Sequence, residues 1–551
     1  MKFIPSVLAA MAAVCSVAAG QQAPAAKFTC SVEHFTPNDA DKAFQARKFE
    51  DAERLYRAML ADDAVAGPEK LAAMAGLVRS ELAERRLADA LTQASEYLRT
   101  NPENPLLLDV LGEVRYRRGE VVEAADLYTR SLKLDPCSAR THYDVYRYQS
   151  LSGLHASAQR QLDVAHGLSP DNPVYERVWL ASHAVPMTAE QRLANLNKRL
   201  EDTSLTPEQR DGLTATIKGI ETREKGNCQL VTPLTNVTLP MLPIAVGAVL
   251  SPEDMYGVGL EVEFNGKKRR VQIDTGASGL LLNRSVAKAA GLVPEMETKT
   301  GGIGDKGLAN TFVTHVDDIK IGSMEFKNCM VRVLEGHGPL EVDGLIGTDV
   351  FRDYLVTLDT PGRQVRLSPL PPRPDQKPGQ ETSLDTDGDD SDEATPLSAA
   401  DRARDRYIAP EMKGWTPIFR EGHDLIVPTG IGDAAAKLFI MDTGSAQMMI
   451  SPDAAREVTH VTGDTDMQIR GISGDVKKVY EADNVHVVFG GVGLRARRMT
   501  SIDTSHLSGS SGVEISGLIG FPMLRELVIS IDYRDNLIKV VYDLKHGIHA
   551  R

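Results

Sequence analysis

Small and apolar residues recur at fixed intervals over residues 41–172 of this chain and predict a repeating pair of helices. Three sets of positions lie 34 residues apart: Ala90, Ala124 and Ala158; Ala94, Tyr128 and Leu162; and Pro102, Pro136 and Pro170. Alanine allows two helices to cross closely, and proline ends a helix because it cannot donate a backbone hydrogen bond. The interval therefore predicts a helix-turn-helix unit that repeats along this part of the chain.

After Cys228 the helical period gives way to short runs rich in Val, Ile, Thr and Leu, separated by Gly, Asp and Asn, which predict β-strands. Two such regions, at 228–367 and 405–551, flank a segment at 368–404 that is rich in Pro, Asp, Ser and Gly. This segment has too few apolar residues to offset the entropy of ordering, so we predict a disordered acidic linker. The expected architecture is multidomain, with an all-α N-terminal part followed by two all-β lobes.

The helical interval resembles the tetratricopeptide repeat, whose neighbouring units stack into a solenoid with a continuous core. An earlier unit around Phe49–Tyr56 belongs to the same series, although about four residues are inserted before the next unit. We predict three to four repeats within 27–173 and additional capping helices within 174–227. One of these helices begins at Thr206, which is followed by the Pro-Glu-Gln sequence typical of a helix start.

The two β regions share one chemical motif. Val271–Ser278 reads Val-Gln-Ile-Asp-Thr-Gly-Ala-Ser, and Phe439–Ala446 reads Phe-Ile-Met-Asp-Thr-Gly-Ser-Ala. Each is an apolar strand that reaches an aspartate and turns on a glycine, so that backbone amides can approach the carboxylate. Gly-Leu-Ile-Gly follows each copy, at Gly344–Gly347 and at Gly517–Gly520. The duplication predicts that two carboxylates meet in one catalytic pair.

A glycine-rich turn lies between the two motifs of each copy and is flanked by residues suited to strands, which predicts a mobile hairpin tip. The residues of the two tips are Gly302, Ile303 and Gly304 in the first copy and Gly471, Ile472 and Ser473 in the second. Strand-Asp-Thr-Gly, hairpin flap and Leu-Ile-Gly together resemble the retropepsin-like lobe of aspartic proteases, over about 239–367 and 415–542. Two lobes in tandem resemble the pseudo-dimer of the pepsin-like members.

This resemblance implies that Asp274 and Asp442 are the catalytic residues of an aspartic endopeptidase that activates a water between them. Two carboxylates about 3 Å apart repel by roughly 5 kcal/mol at an effective dielectric of about 20, so the pair would keep one proton. The resemblance also implies an active-site support of hydrogen-bonding threonines and amide-donating neighbours. These residues are Thr275, Gly276, Thr443, Gly444 and Ser445.

The two copies differ at one position next to the catalytic motif. Ala277 follows the first Asp-Thr-Gly, whereas Ser445 follows the second, so we expect a hydroxyl to hold only the Asp442 carboxylate. A carboxylate with fewer hydrogen bonds has a higher pKa, which indicates Asp274 as the protonated partner. Neither flap contains the tyrosine expected of pepsin-like enzymes, so closure over substrate is expected to resemble the two-flap viral enzymes.

The N-terminus predicts export. Lys2, an apolar run from Phe3 to Ala19 and polar residues thereafter indicate a secretory signal peptide at 1–26, and no later run is long enough to span a membrane. The mature chain would be periplasmic or secreted. Four cysteines then remain: Cys30, Cys137, Cys228 and Cys329. Three pairings are open; Cys30 with Cys228 is one expectation, and buried free thiols are another.

Charge and composition narrow the range of ligands. A net charge of −14 without a Lys/Arg stripe argues against nucleic acid. Neither metal-ligand nor phosphate-loop spacing is present, so no metal and no cofactor are expected. The loop histidines are expected to be surface residues, namely His315, His337, His423 and His460.

Two functions are consistent with the sequence. In the first, the lobes cut an extended polypeptide and the repeats recruit a substrate or a protein partner. In the second, the chain is a non-catalytic peptide-binding or scaffold protein with a degenerate protease fold. Intact aspartates in both copies favour the first function. A linker of about 35 residues reaches roughly 30–35 Å, so pairing of the lobes within a monomer is favoured over exchange between two molecules.

Overall fold

The computed structural model describes residues 30–542 except 33, 35, 185–186, 227, 246–253, 336–341, 375–403, 464–467 and 509–511. The predicted signal peptide at 1–26 lies outside the described residues, as does most of the predicted linker. Within the described residues, no helix combines the length and the apolar character that crossing a bilayer requires.

The N-terminal part is a solenoid of antiparallel helix pairs. The helices are α1 (Asp39–Gln45), α2 (Phe49–Ala61), α3 (Gly67–Ala83), α4 (Leu87–Thr100), α5 (Pro105–Arg117), α6 (Val121–Leu134), α7 (Ala139–Leu151), α8 (His155–Leu168), α9 (Pro173–His183), α10 (Ala189–Leu200) and α11 (Pro207–Glu224). Helices α1 to α8 form four pairs, at the upper end of the predicted number of repeats. The side chain of Thr206 caps α11 by accepting a hydrogen bond from the backbone amide of Gln209, which confirms the predicted start signal.

The residues that carry the 34-residue period lie in the core of the solenoid. Ala90, Ala124 and Ala158 are each 1% exposed or less, which leaves room for adjacent helices to approach closely. The period therefore reflects the packing of one helix pair against the next, since each unit buries its apolar face only against its neighbours.

Two β lobes follow the solenoid. The first contains β1 (Gln229–Leu230), β2 (Val237–Pro240), β3 (Leu242–Ala245), β4 (Met255–Phe264), β5 (Lys267–Asp274), β6 (Leu280–Asn283), α12 (Arg284–Ala289), β7 (Met296–Thr300), β8 (Ala309–Ile321), β9 (Met324–Leu334), β10 (Gly344–Gly347), β11 (Tyr354–Asp359) and β12 (Gln364–Pro369). The second contains β13 (Thr416–Pro417), β14 (Phe419–Glu421), β15 (Asp424–Ile431), β16 (Lys437–Asp442), β17 (Met449–Ile450), α13 (Pro452–Arg456), β18 (Val461–Thr462), β19 (Arg470–Gly471), β20 (Gly474–Asp475), β21 (Tyr480–Phe489), β22 (Val492–Ser501), β23 (Ile515–Gly520), α14 (Phe521–Leu524), β24 (Leu527–Asp532) and β25 (Leu537–Tyr542). Short 3-10 turns lie at Thr348–Phe351, Pro410–Met412 and Ser505–Leu507.

The sheet order shows that the two lobes are copies of one unit. The first lobe runs β9-β6-β10-β5-β4 and the second runs β22-β17-β23-β16-β15, so equivalent strands occupy equivalent places. A six-stranded sheet of order β13-β25-β24-β11-β12-β2 joins the two lobes. Thr357 of β11 pairs with its counterpart Ser530 of β24, and their hydroxyl oxygens lie 2.9 Å apart. The pseudo-twofold axis relating the lobes therefore passes through this pair.

The solenoid packs directly onto the second lobe. Gly119, in the turn between α5 and α6, lies so close to the lobe that a Cβ there would be 2.6 Å from the carbonyl oxygen of Glu514. Gly153, in the turn between α7 and α8, meets the side chain of Asn536 in the same way. A buried apolar cluster covers the interface: Tyr116, Val121, Ala124, Tyr128, Leu151, Phe419, Ile426, Leu438, Ile440, Val513 and Ile515. The repeats thus cover one face of the second lobe.

A buried ion-pair network anchors this interface. The Nζ atom of Lys437, 2% exposed at the start of β16, lies 2.5 Å from Oε1 of Glu120 and 3.0 Å from Oε1 of Glu457. Arg115 and Arg118 also bind Glu120. A buried ammonium is stable only when carboxylates neutralise it, so Lys437 ties the strand that carries Asp442 to the solenoid.

The disulfide pairing differs from the expected Cys30 with Cys228. Cys30 bonds Cys137, in the turn between α6 and α7, and Cys228 bonds Cys329 on β9. The second bond follows from the pairing of β1 with β9, which brings Gln229 opposite Lys327. The expectation failed because sequence position says nothing about which strand β1 joins.

The linker was predicted to begin at residue 368, but the ordered part of the first lobe extends beyond this residue. Strand β12 continues to Pro369, and the side chain of Arg373 is buried against Asp535, with Nη2 2.5 Å from Oδ1. At the other end, the carbonyl oxygen of Arg404 accepts a hydrogen bond from the backbone amide of Ala156. Contacts with distant residues order both flanks of the segment, and local composition cannot reveal such contacts.

We expect Glu120→Gln to lower the melting temperature more than Lys437→Met. The first substitution leaves a buried ammonium with only Glu457, at a cost of about 3 kcal/mol. The second leaves Glu120 paired with Arg115 and Arg118, which limits the cost to about 1 kcal/mol. Differential scanning calorimetry of both variants measures the difference. An equal fall in melting temperature in both variants would show that the buried ammonium of Lys437 does not need the charge of Glu120.

Candidate active site

The two Asp-Thr-Gly motifs lie at the ends of equivalent strands and face each other across the pseudo-twofold axis. In the first lobe, β10 pairs in parallel with β5 and places Gly347 beside Asp274. In the second lobe, β23 pairs in parallel with β16 and places Gly520 beside Asp442. The predicted bracing by Gly-Leu-Ile-Gly is therefore a strand pairing. It holds each aspartate at the same height in its lobe.

Reciprocal hydrogen bonds between the lobes connect the two motifs below the carboxyls. The backbone amide of Thr275 donates to Oγ1 of Thr443, and the amide of Thr443 donates to Oγ1 of Thr275, both at 3.0 Å. Each hydroxyl in turn donates to a carbonyl of the opposite strand, from Thr275 to Met441 and from Thr443 to Ile273. Because both threonines are buried, these bonds fix the spacing of the two loops.

Each glycine of the motifs packs against the carboxyl of the other lobe. A Cβ at Gly276 would lie 3.0 Å from Cγ of Asp442, and a Cβ at Gly444 would collide with the carboxyl of Asp274. Any larger residue would push the two carboxyls apart. The glycines thus permit close approach in addition to supplying their amides.

The two carboxylates receive unequal hydrogen bonds from the backbone. The amide of Gly276 donates to Oδ1 of Asp274 at 2.9 Å. Oδ1 of Asp442 accepts two amides, from Gly444 at 2.8 Å and from Ser445 at 3.0 Å. The hydroxyl of Ser445 donates to the carbonyl of Gln447 instead. The expected asymmetry is present, but it comes from a backbone amide and the prediction that the serine hydroxyl holds the carboxylate is wrong.

Burial raises the pKa of both carboxyls, and the pair is linked by a hydrogen bond between the side chains of Asp274 and Asp442. The charge of Asp442 raises the pKa of Asp274 further, to well above its ordinary value. The bond from Asp274 and the amides of Gly444 and Ser445 oppose the rise at Asp442. The additional backbone amide therefore favours the negative charge on Asp442 and the shared proton on Asp274.

His423 lies at the site, although the sequence predicted a surface residue. It belongs to the turn between β14 and β15, and its Nε2 is 3.2 Å from the carbonyl oxygen of Gly276 and 3.4 Å from Oδ1 of Asp424. Its charge also lowers the pKa of Asp442, although less than the hydrogen bonds do. No local pattern marks this histidine, because Gly276 belongs to the other lobe.

The sequence also predicted His315, His337 and His460 to be surface residues, and the structure agrees for only one of them. His460 is exposed, as expected. The side chain of His315 is only 8% exposed, and its Nδ1 lies 3.0 Å from Oε1 of Glu295, so the surface prediction is wrong there. His337 lies outside the described residues.

The two flap tips meet above the carboxyl pair. The amide of Ser473 donates to the carbonyl of Ile303 at 3.0 Å, and the amide of Lys306 donates to the carbonyl of Ser473 at 2.8 Å. A Cβ at Gly302 would lie 2.9 Å from Cβ of Ile472, so this glycine lets the tips pass closely. The predicted tip residues Gly304 and Gly471 lie in the same contact.

Each flap places its isoleucine on the opposite lobe. Ile303 of the first lobe packs on a buried cluster that includes Met449 and Leu518 of the second. Ile472 of the second lobe packs on Leu281 and Leu345 of the first. The four residues on which the isoleucines pack line a cleft of about 690 Å³, and Asp274 and Asp442 line the same cleft. The cleft can hold apolar side chains on both sides of the carboxyl pair once the flaps separate.

Family models and curated relatives match parts of the chain. Residues 260–350 match the aspartyl protease model, and 39–105 and 76–139 match a tetratricopeptide repeat model. Over 103 residues the chain is 33% identical to DNA damage-inducible protein 1 of Neurospora crassa, covering 18% of this chain and 22% of that protein. Over 116 residues it is 29% identical to UBA domain-containing protein Mud1 of Schizosaccharomyces pombe, covering 20% and 33%. The chain thus spans between about a fifth and a third of the length of these relatives.

Two solved structures are also similar. The aspartic proteinase from Irpex lacteus gives a TM-score of 0.34 at 12% identity, over 57% of this chain and 100% of that one. The retropepsin-like aspartic protease from Rickettsia conorii gives 0.19 at 18% identity, over 25% and 94%. Because both TM-scores are low, the fold assignment depends on the family models and the sheet topology. The chain joins tetratricopeptide repeats to two retropepsin-like lobes of the aspartic-protease type.

Proposed function

We propose that this protein is an exported aspartic endopeptidase that hydrolyses peptide bonds through a water activated between Asp274 and Asp442. The observation that carries the proposal is the hydrogen-bonded pair of buried carboxyls at the floor of a cleft shared by two lobes. A scaffold that only holds a peptide needs neither carboxyl. Burying both is costly, so their retention favours catalysis.

We infer different roles for the two aspartates from their unequal hydrogen bonds. Asp442, held ionised by two backbone amides, acts as the general base that takes a proton from water. Asp274, which holds the shared proton, acts as the general acid that polarises the substrate carbonyl. The paired threonines keep both groups in register while the proton moves between them.

The substrate of this reaction is an extended polypeptide. The flaps pair with each other through backbone amides and carbonyls, and a strand-like peptide can replace these bonds with its own. The solenoid forms a wall of the second lobe and extends beyond it, so its remaining surface can recruit a substrate or protein partner. The lobes pair within one chain, and we therefore propose a monomer.

Export is supported by the cysteines. Cys30 with Cys137 and Cys228 with Cys329 form disulfides, which persist in oxidising compartments such as the periplasm or the extracellular space. Together with the predicted signal peptide, they favour a location outside the cytoplasm.

We expect Asp274→Asn and Asp442→Asn each to reduce cleavage of an unstructured polypeptide by at least about a thousandfold, because either loss removes the acid-base pair. The measurement is fluorescence release from a quenched peptide library by the mature protein. Ser445→Ala is the matched control, since the Ser445 amide that binds Asp442 is retained. Full activity in either asparagine variant would refute the catalytic role of the aspartate pair. Tight peptide binding by the parent protein without turnover at any pH would favour the non-catalytic alternative.

The same substitution should reveal the buried proton through stability. The folded-state pKa of Asp274 is raised, so its contribution to stability is present at low pH and is lost as pH rises through the folded pKa. Asparagine does not titrate. Asp274→Asn should therefore have a higher melting temperature than the parent at neutral pH, and the gap should close towards pH 4. A gap independent of pH would contradict the raised pKa.

The pH profile should respond to His423. The active form carries one proton on the pair, so kcat/KM should fall at high pH as the proton is lost and at low pH as a second is gained. The charge of His423 lowers the pKa of Asp442. Replacing it in His423→Gln should therefore move the acidic limb to higher pH and leave the other limb nearly unchanged. His460→Gln, at an exposed site, is the control. An unmoved acidic limb would exclude this role.

A further inference from the structure

One edge of the solenoid is formed by the turns between the two helices of each repeat. Every turn contains one residue with a positive φ: Arg47 at 59°, Arg85 at 61°, Gly119 at 72° and Gly153 at 71°. The two glycines contact the second lobe closely, as described above, whereas Arg47 and Arg85 are exposed. The same edge of the solenoid therefore contacts the second lobe at Gly119 and Gly153 and, beyond the lobe, exposes Arg47 and Arg85 to solvent.

Two further arginines, Arg117 and Arg147, lie where this edge meets the lobe. A Cβ at Gly512 would be 2.9 Å from Nη1 of Arg117 and 3.9 Å from an Nη atom of Arg147, so two guanidinium groups converge on this residue. Arg147 is neutralised by Asp144 at 3.1 Å and stacks on a tyrosine ring. Arg117 is partly buried, where Arg147 and Arg85 act on it as like charges and Glu113 compensates them in part.

Unlike Arg147, the arginines Arg85 and Arg117 have no close carboxylate partner among the described residues. Within the part of the chain that the structure describes, neither Arg85 nor Arg117 lies within 4.0 Å of a carboxylate. Asp503 interacts with Arg85 only at longer range. Two cations that carboxylates reach only at longer range, in a chain of net charge −14, are complementary to an anion from outside.

The same edge adjoins the cleft. Asp503, near Arg85, and Gly512, against Arg117, flank a segment of the second lobe whose His506 and Leu507 line the cleft. Leu507 also packs on the apolar cluster that joins the solenoid to the lobe. The two arginines therefore lie on the side of the cleft that this segment forms, where a polypeptide leaving the cleft can reach them.

We propose that Arg85 and Arg117 bind acidic side chains of a polypeptide whose neighbouring segment occupies the cleft. This inference rests on the proposed function for the identity of the ligand, and it deepens that function by naming the substrate class: chains with a cluster of Asp or Glu beside an apolar segment. The solenoid then contributes a charged extension of the cleft, next to the apolar pockets beneath the flaps.

The test measures binding separately from cleavage. The ligand is a fluorescent unstructured peptide with an apolar centre and a run of glutamates at one end. Two versions carry the glutamates at the N-terminal or at the C-terminal end. Each has a control peptide in which glutamines replace the glutamates. With the Asp274→Asn protein, fluorescence anisotropy should show that one glutamate peptide binds about tenfold more tightly than its glutamine match. The advantage should disappear at high salt.

Variants assign the effect to the two arginines. Arg85→Gln should weaken binding of that glutamate peptide about threefold, and Arg117→Gln about tenfold, without changing the glutamine peptide. Arg47→Gln is the matched control, because Arg47 is exposed and has nearly the same φ as Arg85 but lies one repeat farther from the cleft. In the active protein, Arg85→Gln should raise KM for the glutamate peptide and leave kcat unchanged.

Two results would overturn the proposal: equal binding of glutamate and glutamine peptides in both orientations, or equal losses in Arg85→Gln and Arg47→Gln. Because Arg85 is exposed, its variant stays informative even if Arg117→Gln disturbs the interface. Absence of cleavage by the parent protein would refute the endopeptidase, but the anisotropy result would still decide whether the arginines bind acidic chains.

Discussion

Two carboxyls can be buried side by side only if the backbone supplies hydrogen-bond donors and one proton stays between them. The organisation of the lobes around Asp274 and Asp442 follows from this constraint. Glycine follows each Asp-Thr because a side chain there would strike the opposite carboxyl. The reciprocal threonine bonds oppose separation of the lobes, and so the pair depends on the whole pseudo-dimer rather than on either motif.

The same constraint explains why the two halves are not equivalent. A perfectly symmetric pair would give the proton no preference for either aspartate. One additional backbone amide, from Ser445, stabilises a negative charge at Asp442 and so favours the proton at Asp274. Two lobes on one chain can maintain such a difference, whereas two identical subunits cannot, because each sequence change would occur twice.

The solenoid is part of this arrangement. It packs against the strand that carries Asp442, through the apolar cluster and the buried Lys437–Glu120 pair. A ligand on the repeats would therefore act on a surface continuous with the second lobe. The contact between the two flaps is much smaller, because they meet through a few backbone hydrogen bonds and two isoleucines.

The sequence by itself determined the local features. The 34-residue period, the strand-Asp-Thr-Gly motifs and the flap glycines are periodic or conformational signals contained in short segments, so the architecture and the identity of the paired aspartates could be predicted. The tertiary structure decided everything that joins distant segments. It paired Cys30 with Cys137 and Cys228 with Cys329, brought His423 to Gly276 of the other lobe, placed Ser445's amide rather than its hydroxyl on Asp442, and docked Gly119 on the second lobe. These contacts depend on strand register and lobe pairing, which no single segment encodes.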